Sequence, residues 1–206
     1  PPGAQEYEPP VHDIAIPNNT LIYEMRPHMH LRGARMKYEA IYPDGHTEVL
    51  ISVPRYDFHW QRLYRLVEPK FLPRGSKVRI SGAFDNSALN PDNPDPTQRV
   101  FFLWQSTDEM FIGYFKYSEL LTLLAEPKSR TVAPGASVTF SAAAFSPRPP
   151  IAYQWLFNGS EIASATNRTF TLPDAQPAHG GLYVIRVADA NDMLTSTNAV
   201  LTVTTP

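Results

Sequence analysis

Cysteine is absent from all 206 residues, which excludes a disulfide scaffold, thiolate zinc, iron-sulfur ligation and cysteine nucleophiles. Glycine is slightly scarce at 10 residues, and no run approaches the ~20 apolar residues of a transmembrane helix. Neither charge sign dominates: 18 basic residues face 20 acidic ones, for a formal charge of -2. With no basic patch to collect phosphates and no acidic tail, nucleic acid is not an expected partner. No signal peptide is visible. The chain opens on Pro1-Pro2-Gly3, already turn chemistry, and is expected to begin inside a longer protein. Proline is what the chain has in excess, at 21 residues, about twice the usual ~5%. That excess disfavours long helices and favours short extended segments joined by rigid turns.

Composition changes near residues 122–128, where Leu120-Leu121-Thr122-Leu123-Leu124 gives way to Ala125-Glu126-Pro127-Lys128-Ser129. Residues 1–124 hold 13 basic and 15 acidic groups, whereas residues 125–206 hold 5 and 5. Two domains, 1–124 and 125–206, are expected. In the second, 137–141 and 151–157 alternate at period 2, Asn158-Gly159 supplies a tight turn, and 182–187 and 198–203 read as further strands. Short strands within about 80 residues point to a β-sandwich.

The stretch 127–205 resembles an immunoglobulin-like domain. Trp155 fits the core tryptophan, and Gly181-Leu182-Tyr183-Val184-Ile185 fits the segment in which a tyrosine precedes the second cysteine by two. Ala142 and Ile185 stand at the two cysteine positions, so the resemblance implies a bridge-free variant with Tyr183 as a tyrosine corner. Three sequons, at Asn18, Asn158 and Asn167, are too short a motif to argue glycosylation.

The first domain also reads as β, with strands expected over 20–30, 35–42, 49–54, 61–67, 77–84, 100–104 and 110–117. Pro43-Asp44-Gly45-His46 and Leu72-Pro73-Arg74-Gly75 are turn signals. Residues 85–96, rich in Asn, Asp and Pro, have no periodicity and read as an ordered loop. Oxygen-rich as it is, this loop lacks the fixed spacing of a calcium-binding EF-hand. The fold class expected is all-β: a jelly-roll type sandwich followed by an immunoglobulin-like sandwich.

His28 and His30 are two residues apart, so on a strand their imidazoles leave one face of the sheet and can converge on one ion. Arg26 shares that face, whereas Met25 and Met29 point the other way, into the core. A His-x-His pair suits zinc, copper, nickel or iron alike. It is equally compatible with two packed or surface histidines, and the remaining histidines, His12, His46, His59 and His179, do not choose among these.

Five ordered motifs add a second resemblance over residues 1–118. They are Pro27-His28-Met29-His30-Leu31-Arg32-Gly33, Tyr42-Pro43-Asp44-Gly45, residues 53–61, the Asn- and Asp-rich segment 85–94, and Thr107-Asp108-Glu109-Met110. Together they resemble the C-terminal domain of the copper type II, ascorbate-dependent monooxygenases, the peptidylglycine α-hydroxylating and dopamine β-monooxygenase family, in its bacterial branch. The resemblance implies one copper ion held by His28, His30 and Met110, with Arg26 and Tyr114 beside the substrate. It implies O₂ activation and hydroxylation of an aliphatic C-H bond in a small organic substrate, with ascorbate or another reductant supplying electrons. In that family the electrons pass through a second copper, held by an upstream domain that residues 1–27 do not supply. The chain is therefore expected to be the oxygen-activating half of such an enzyme and to work outside the cytoplasm. The alternatives are a copper-binding module, or a structural or adhesive one, without monooxygenase activity.

Overall fold

Ile22 and Met25 are three residues apart, yet both are fully buried in one strand, β2 (Thr20–Met29). A bulge against β5 (Tyr64–Leu72) falls between Ile22 and Glu24. The surplus residues lie in β5, between Lys70 and Arg65, and past this irregularity Met25, Pro27 and Met29 take up the buried face while Arg26 and His28 turn away from it. The expectation that Met25 and Met29 belong to the core holds.

The computed structural model describes residues 1–204. The chain divides into two compact units, Pro1–Ser118 and a second from Glu119 onward. In the first, β1 (His12–Ala15), β3 (Gly33–Ile41), β4 (Thr47–Val53) and β6 (Lys77–Phe84) form a four-stranded sheet in the order β1-β6-β3-β4. A three-stranded sheet, β5-β2-β7, uses β7 (Phe111–Glu119). Ile22, Met25, Met29, Met36, Tyr38, Leu72 and Val78 are the buried centre of this unit, each such side chain contributing about 1.5–3 kcal/mol of hydrophobic stabilisation. Gly113 of β7 lets the two sheets close: a Cβ there would lie 2.3 Å from Ile80 Cδ1 and 2.8 Å from the Tyr38 hydroxyl.

Of the fold class expected, the jelly-roll topology is not shown. A jelly roll needs eight strands in two sheets, and this unit has seven, divided four and three. Residues 100–104 do not form the strand expected of them; among the described residues they make one isolated bridge, Phe102 with Glu109. The coarser expectation, an all-β sandwich, is what the structure shows.

The second unit runs β8 (Thr122–Ala125), β9 (Arg130–Val132), β10 (Val138–Ser141), β11 (Ala143–Phe145), β12 (Ala152–Phe157), β13 (Ser160–Glu161), β14 (Thr169–Leu172), β15 (Gly181–Ala188), β16 (Met193–Thr195) and β17 (Ala199–Val203). Its main sheet follows β13-β12-β15-β17-β9, with β16 also on β15; β10 pairs β14, and β11 pairs β8. Trp155, fully buried, lies among Phe140, Ile185 and Leu201 in the core, and its indole N–H donates to the Asn167 carbonyl at 2.9 Å. Ala142 and Ile185 are buried where the disulfide of an immunoglobulin-like domain would sit. The Tyr183 hydroxyl donates to the His179 carbonyl at 3.0 Å, the tyrosine corner expected. Asn158 and Gly159 both take positive φ, as a tight hairpin turn requires. No helix among the described residues is long and apolar enough to cross a membrane.

Candidate functional site

His28, His30 and Met110 do meet. The His28 and His30 rings stand edge to face with centroids 5.3 Å apart, and Met110 arrives from the segment entering β7, its Sδ 3.1 Å from His28 Nε2. Gln61 fixes the orientation of His28. Its amide nitrogen donates to the Phe58 carbonyl at 3.0 Å, which turns its oxygen to accept from His28 Nδ1 at 2.7 Å. His30 is almost wholly buried, flanked by the Phe58 ring at 6.2 Å, and its Nδ1 has no hydrogen-bond partner. Burial holds the His30 imidazole below its ordinary pKa, reinforced by the neighbouring His28.

Arg26 and Tyr114 also come together, but as a separate pair. The guanidinium lies 4.7 Å from the centroid of the tyrosine ring, in a shallow depression of about 280 Å³ with Glu24, Leu63, Phe115 and Lys116. The arginine charge is therefore already engaged with an aromatic face.

The expected copper ion is corrected by the donor set. Among the described residues there is no group of three or more His, Cys, Asp or Glu side chains that could hold a metal ion, and cysteine is absent from the chain. The third donor that the structure brings to the two imidazoles is the Met110 thioether. His28 is bonded through Nδ1 to Gln61, and its Nε2 lies against Met110 Sδ. Calcium in the 85–96 loop fares no better. The cation at its centre is Arg32, whose Nε donates to Asn86 Oδ1 at 2.9 Å and Asn93 Oδ1 at 2.7 Å, while Nη1 donates to the Thr107 carbonyl at 2.7 Å.

Comparison with known proteins lends the resemblance to the copper enzymes no support. No protein-family model matches the chain, and no curated protein matches it. The chain is similar to a solved chimeric titin Z1Z2 functionalized with a decorin peptide, at 23% identity over 42% of this chain and 95% of that one, with a TM-score of 0.35. Against Sidekick-1 immunoglobulin domains 1–4 the identity is 19% over 41% of this chain and 22% of that one, TM-score 0.38. Against the N-terminal four immunoglobulin domains of Dscam1 it is 12% over 82% of this chain and 37% of that one, TM-score 0.37. The chain thus spans about a fifth and about a third of the latter two. With no matching family model or curated protein and no such metal-holding group among the described residues, the family resemblance drawn from the five motifs is corrected with the cofactor. The activity that rested on it, hydroxylation of a C-H bond with O₂ and ascorbate, goes too.

Three features of this region were not singled out from the sequence. Arg32 is one; the run of Asn and Asp at 85–96 was its signal, since so many side-chain acceptors need a common donor. Glu109 is the second. Its carboxyl lies 3.7 Å from Arg32 Nη1, its Oε2 is sealed from solvent without a partner, and burial pushes it up to about 7 against the opposing pull of Arg32. The third is an exposed apolar run, with Phe101 65%, Phe102 58%, Leu103 53% and Trp104 80% exposed. The sequence offered the apolar residues but not their exposure.

Proposed function

We propose that the chain is a structural and adhesive module of two β-sandwich units that works by contact and by bearing tension, not by catalysis. The observation that carries this reading is the pairing of β9 with β17. The two strands are parallel, in register Arg130 with Leu201, Thr131 with Thr202 and Val132 with Val203. Parallel neighbours run the same way, so the chain comes into this strand pair from β8 at one end and leaves it at the other. Tension between entry and exit slides β9 along β17 and loads the ladder bonds together, whereas an antiparallel pair pulled from one end opens one bond at a time. Further bonds extend the seam: Thr197 N–H donates to Glu126 Oε2, Val200 N–H to Ser129 Oγ and Thr204 N–H to the Val132 carbonyl, each at 2.9 Å. The exposed run Phe101–Trp104 supplies contact surface on the first unit, being larger in continuous apolar exposure than scattered surface residues. An extracytoplasmic place of action belongs to the same proposal and is supported by the immunoglobulin-like pattern of the second unit.

The test is single-molecule pulling of the whole chain from its two ends. Two unfolding events are expected. Glu126→Ala combined with Ser129→Ala is expected to lower the rupture force of the second unit while changing its equilibrium stability by only about 1–2 kcal/mol. An unchanged rupture force overturns the tension-bearing reading. Oxygen uptake with ascorbate that exceeds that of free copper salt overturns the non-catalytic one.

A further inference from the structure

The first unit contains a cleft of about 520 Å³ walled by Tyr7, Phe84, Phe101, Phe102 and Phe111, with Arg99 also lining it. That volume lies within the usual range for a small-molecule site. The walls are fixed by the backbone. Tyr7 and Phe84 exchange a pair of N–H···O bonds at 2.8 and 2.9 Å, and Phe111 meets the Phe84 ring at a tilt of 66° with centroids 6.2 Å apart. On the other side, Glu109 N–H donates to the Phe101 carbonyl at 3.0 Å, and Leu103 N–H donates to the Glu109 carbonyl at 3.2 Å.

The polar side chains around the cleft are mostly spoken for. Asn86 Nδ2 donates to the carbonyls of Pro1 and Gln98, both at 2.9 Å, while its Oδ1 accepts from Arg32 and Asn93. The Glu109 carboxyl is turned toward Arg32, with Oε2 out of reach of solvent. Arg99 is different: it is exposed, and among the described residues its guanidinium has no hydrogen bond or ion pair. The cleft, which Pro1 also lines, therefore offers aromatic walls and, in Arg99, an uncommitted side-chain cation of planar, forked geometry, the group best matched to a carboxylate.

We propose that this cleft binds a small aromatic carboxylate, its ring packed between the aromatic walls and its carboxylate paired with Arg99. The ring gains apolar burial and edge or offset contacts with the walls, and the carboxylate sets its orientation. The inference is independent of the tension-bearing role, which lies in the second unit, and gives Phe101 and Phe102 a ligand beside their share of the contact surface.

Phenylbutyrate is a suitable probe, titrated into the whole chain and followed by calorimetry and by backbone amide NMR shifts. Saturable binding is expected, with shifts centred on residues 99–102 and on Phe111. Arg99→Gln is expected to weaken it about tenfold, the loss of one charge-assisted hydrogen-bonded pair, and Arg99→Lys to recover part of that loss. Because Arg99 is exposed and unbonded, neither substitution touches the fold. Phe102→Ser is expected to weaken binding by a similar factor. Phenylbutanol, which keeps the ring and lacks the charge, is expected to bind at least tenfold more weakly than phenylbutyrate. Equal binding of phenylbutanol, unchanged affinity in Arg99→Gln, or shifts centred elsewhere would overturn the proposal. So would tighter binding of phenylbutylamine than of phenylbutyrate, which would assign recognition to Glu109 instead.

Discussion

Tyr183 contributes more than apolar area. Its ring stacks on Phe140 with centroids 4.6 Å apart, and its hydroxyl reaches back four residues to the His179 carbonyl. Tyr183→Phe keeps the ring and deletes the bond, leaving that carbonyl without its side-chain donor. The expected loss is about 1 kcal/mol, read as a lower urea midpoint for the second unit with an unaltered slope, and no change in the first. This position was legible beforehand because a short pattern around the tyrosine coincides with a local hydrogen bond. Arg32 was not. Its partners lie 54 to 77 residues ahead in the chain, and a single sequence holds no trace of which arginine will be surrounded. The histidine pair falls between these cases. Spacing placed both imidazoles on one face, and the structure brings Met110 to them, but spacing could not say whether three such groups pack together or hold an ion.

At the level of strands, legibility followed alternation. β2, β3 and β6 carry alternating apolar residues and lie close to where they were expected, whereas β1, four residues with no buried member, was not expected. Val100–Trp104 misled for the opposite reason. It has the composition of a buried strand, but apart from one bridge it finds no strand partner among the described residues, and Phe101 to Trp104 stay largely exposed. The contact between the two sheets of the first unit depends on an element that carries no side chain at all. At Gly113 an added methyl would overlap Ile80 and crowd the Tyr38 hydroxyl. Gly113→Ala is therefore expected to force the sheets apart and destabilise the first unit by about 1–3 kcal/mol. The check is chemical unfolding, alongside Gly45→Ala, where a new methyl meets nothing within 4 Å but the backbone has positive φ. If crowding between the sheets is the cause, the near-ultraviolet signal of Tyr38 and its neighbours changes in the first variant and not in the second.

On the scale of the whole chain, one carboxyl group in each of the two units ties stability to pH, and the two do so in opposite senses. In the first, Glu109 is raised from 4.5 to about 7 by burial, with Arg32 pulling it down and Asp108 pushing it up. The folded unit holds that proton more tightly than the unfolded chain, so the Glu109 contribution to stability falls as pH rises from about 4.5 toward 7, while His30, held below its ordinary value by burial, contributes in the opposite sense. In the second, Asp189 is lowered from 3.8 to about 2, chiefly by the hydrogen bond from Ser146, with backbone N–H groups of Asn191 and Asp192 and the Arg148 charge adding to it. There the stability is present above pH 4 and is lost as pH falls through about 2. Calorimetry of the intact chain should resolve two transitions that separate or cross as pH is changed. Glu109→Gln is expected to flatten the first dependence and Asp189→Asn the second. A single transition with one common pH response would mean that the units do not unfold independently.

The loop at 85–96 has the oxygen-rich composition of segments that many proteins organise around a soluble ion, and here the organising cation is a side chain of the same polypeptide. A guanidinium tethered by its own backbone cannot be diluted away, stripped by a chelator or exchanged for a competing ion. The loop, and the wall of the cleft built next to it, are thus set when the chain folds and stay set whatever the mineral content of the surroundings.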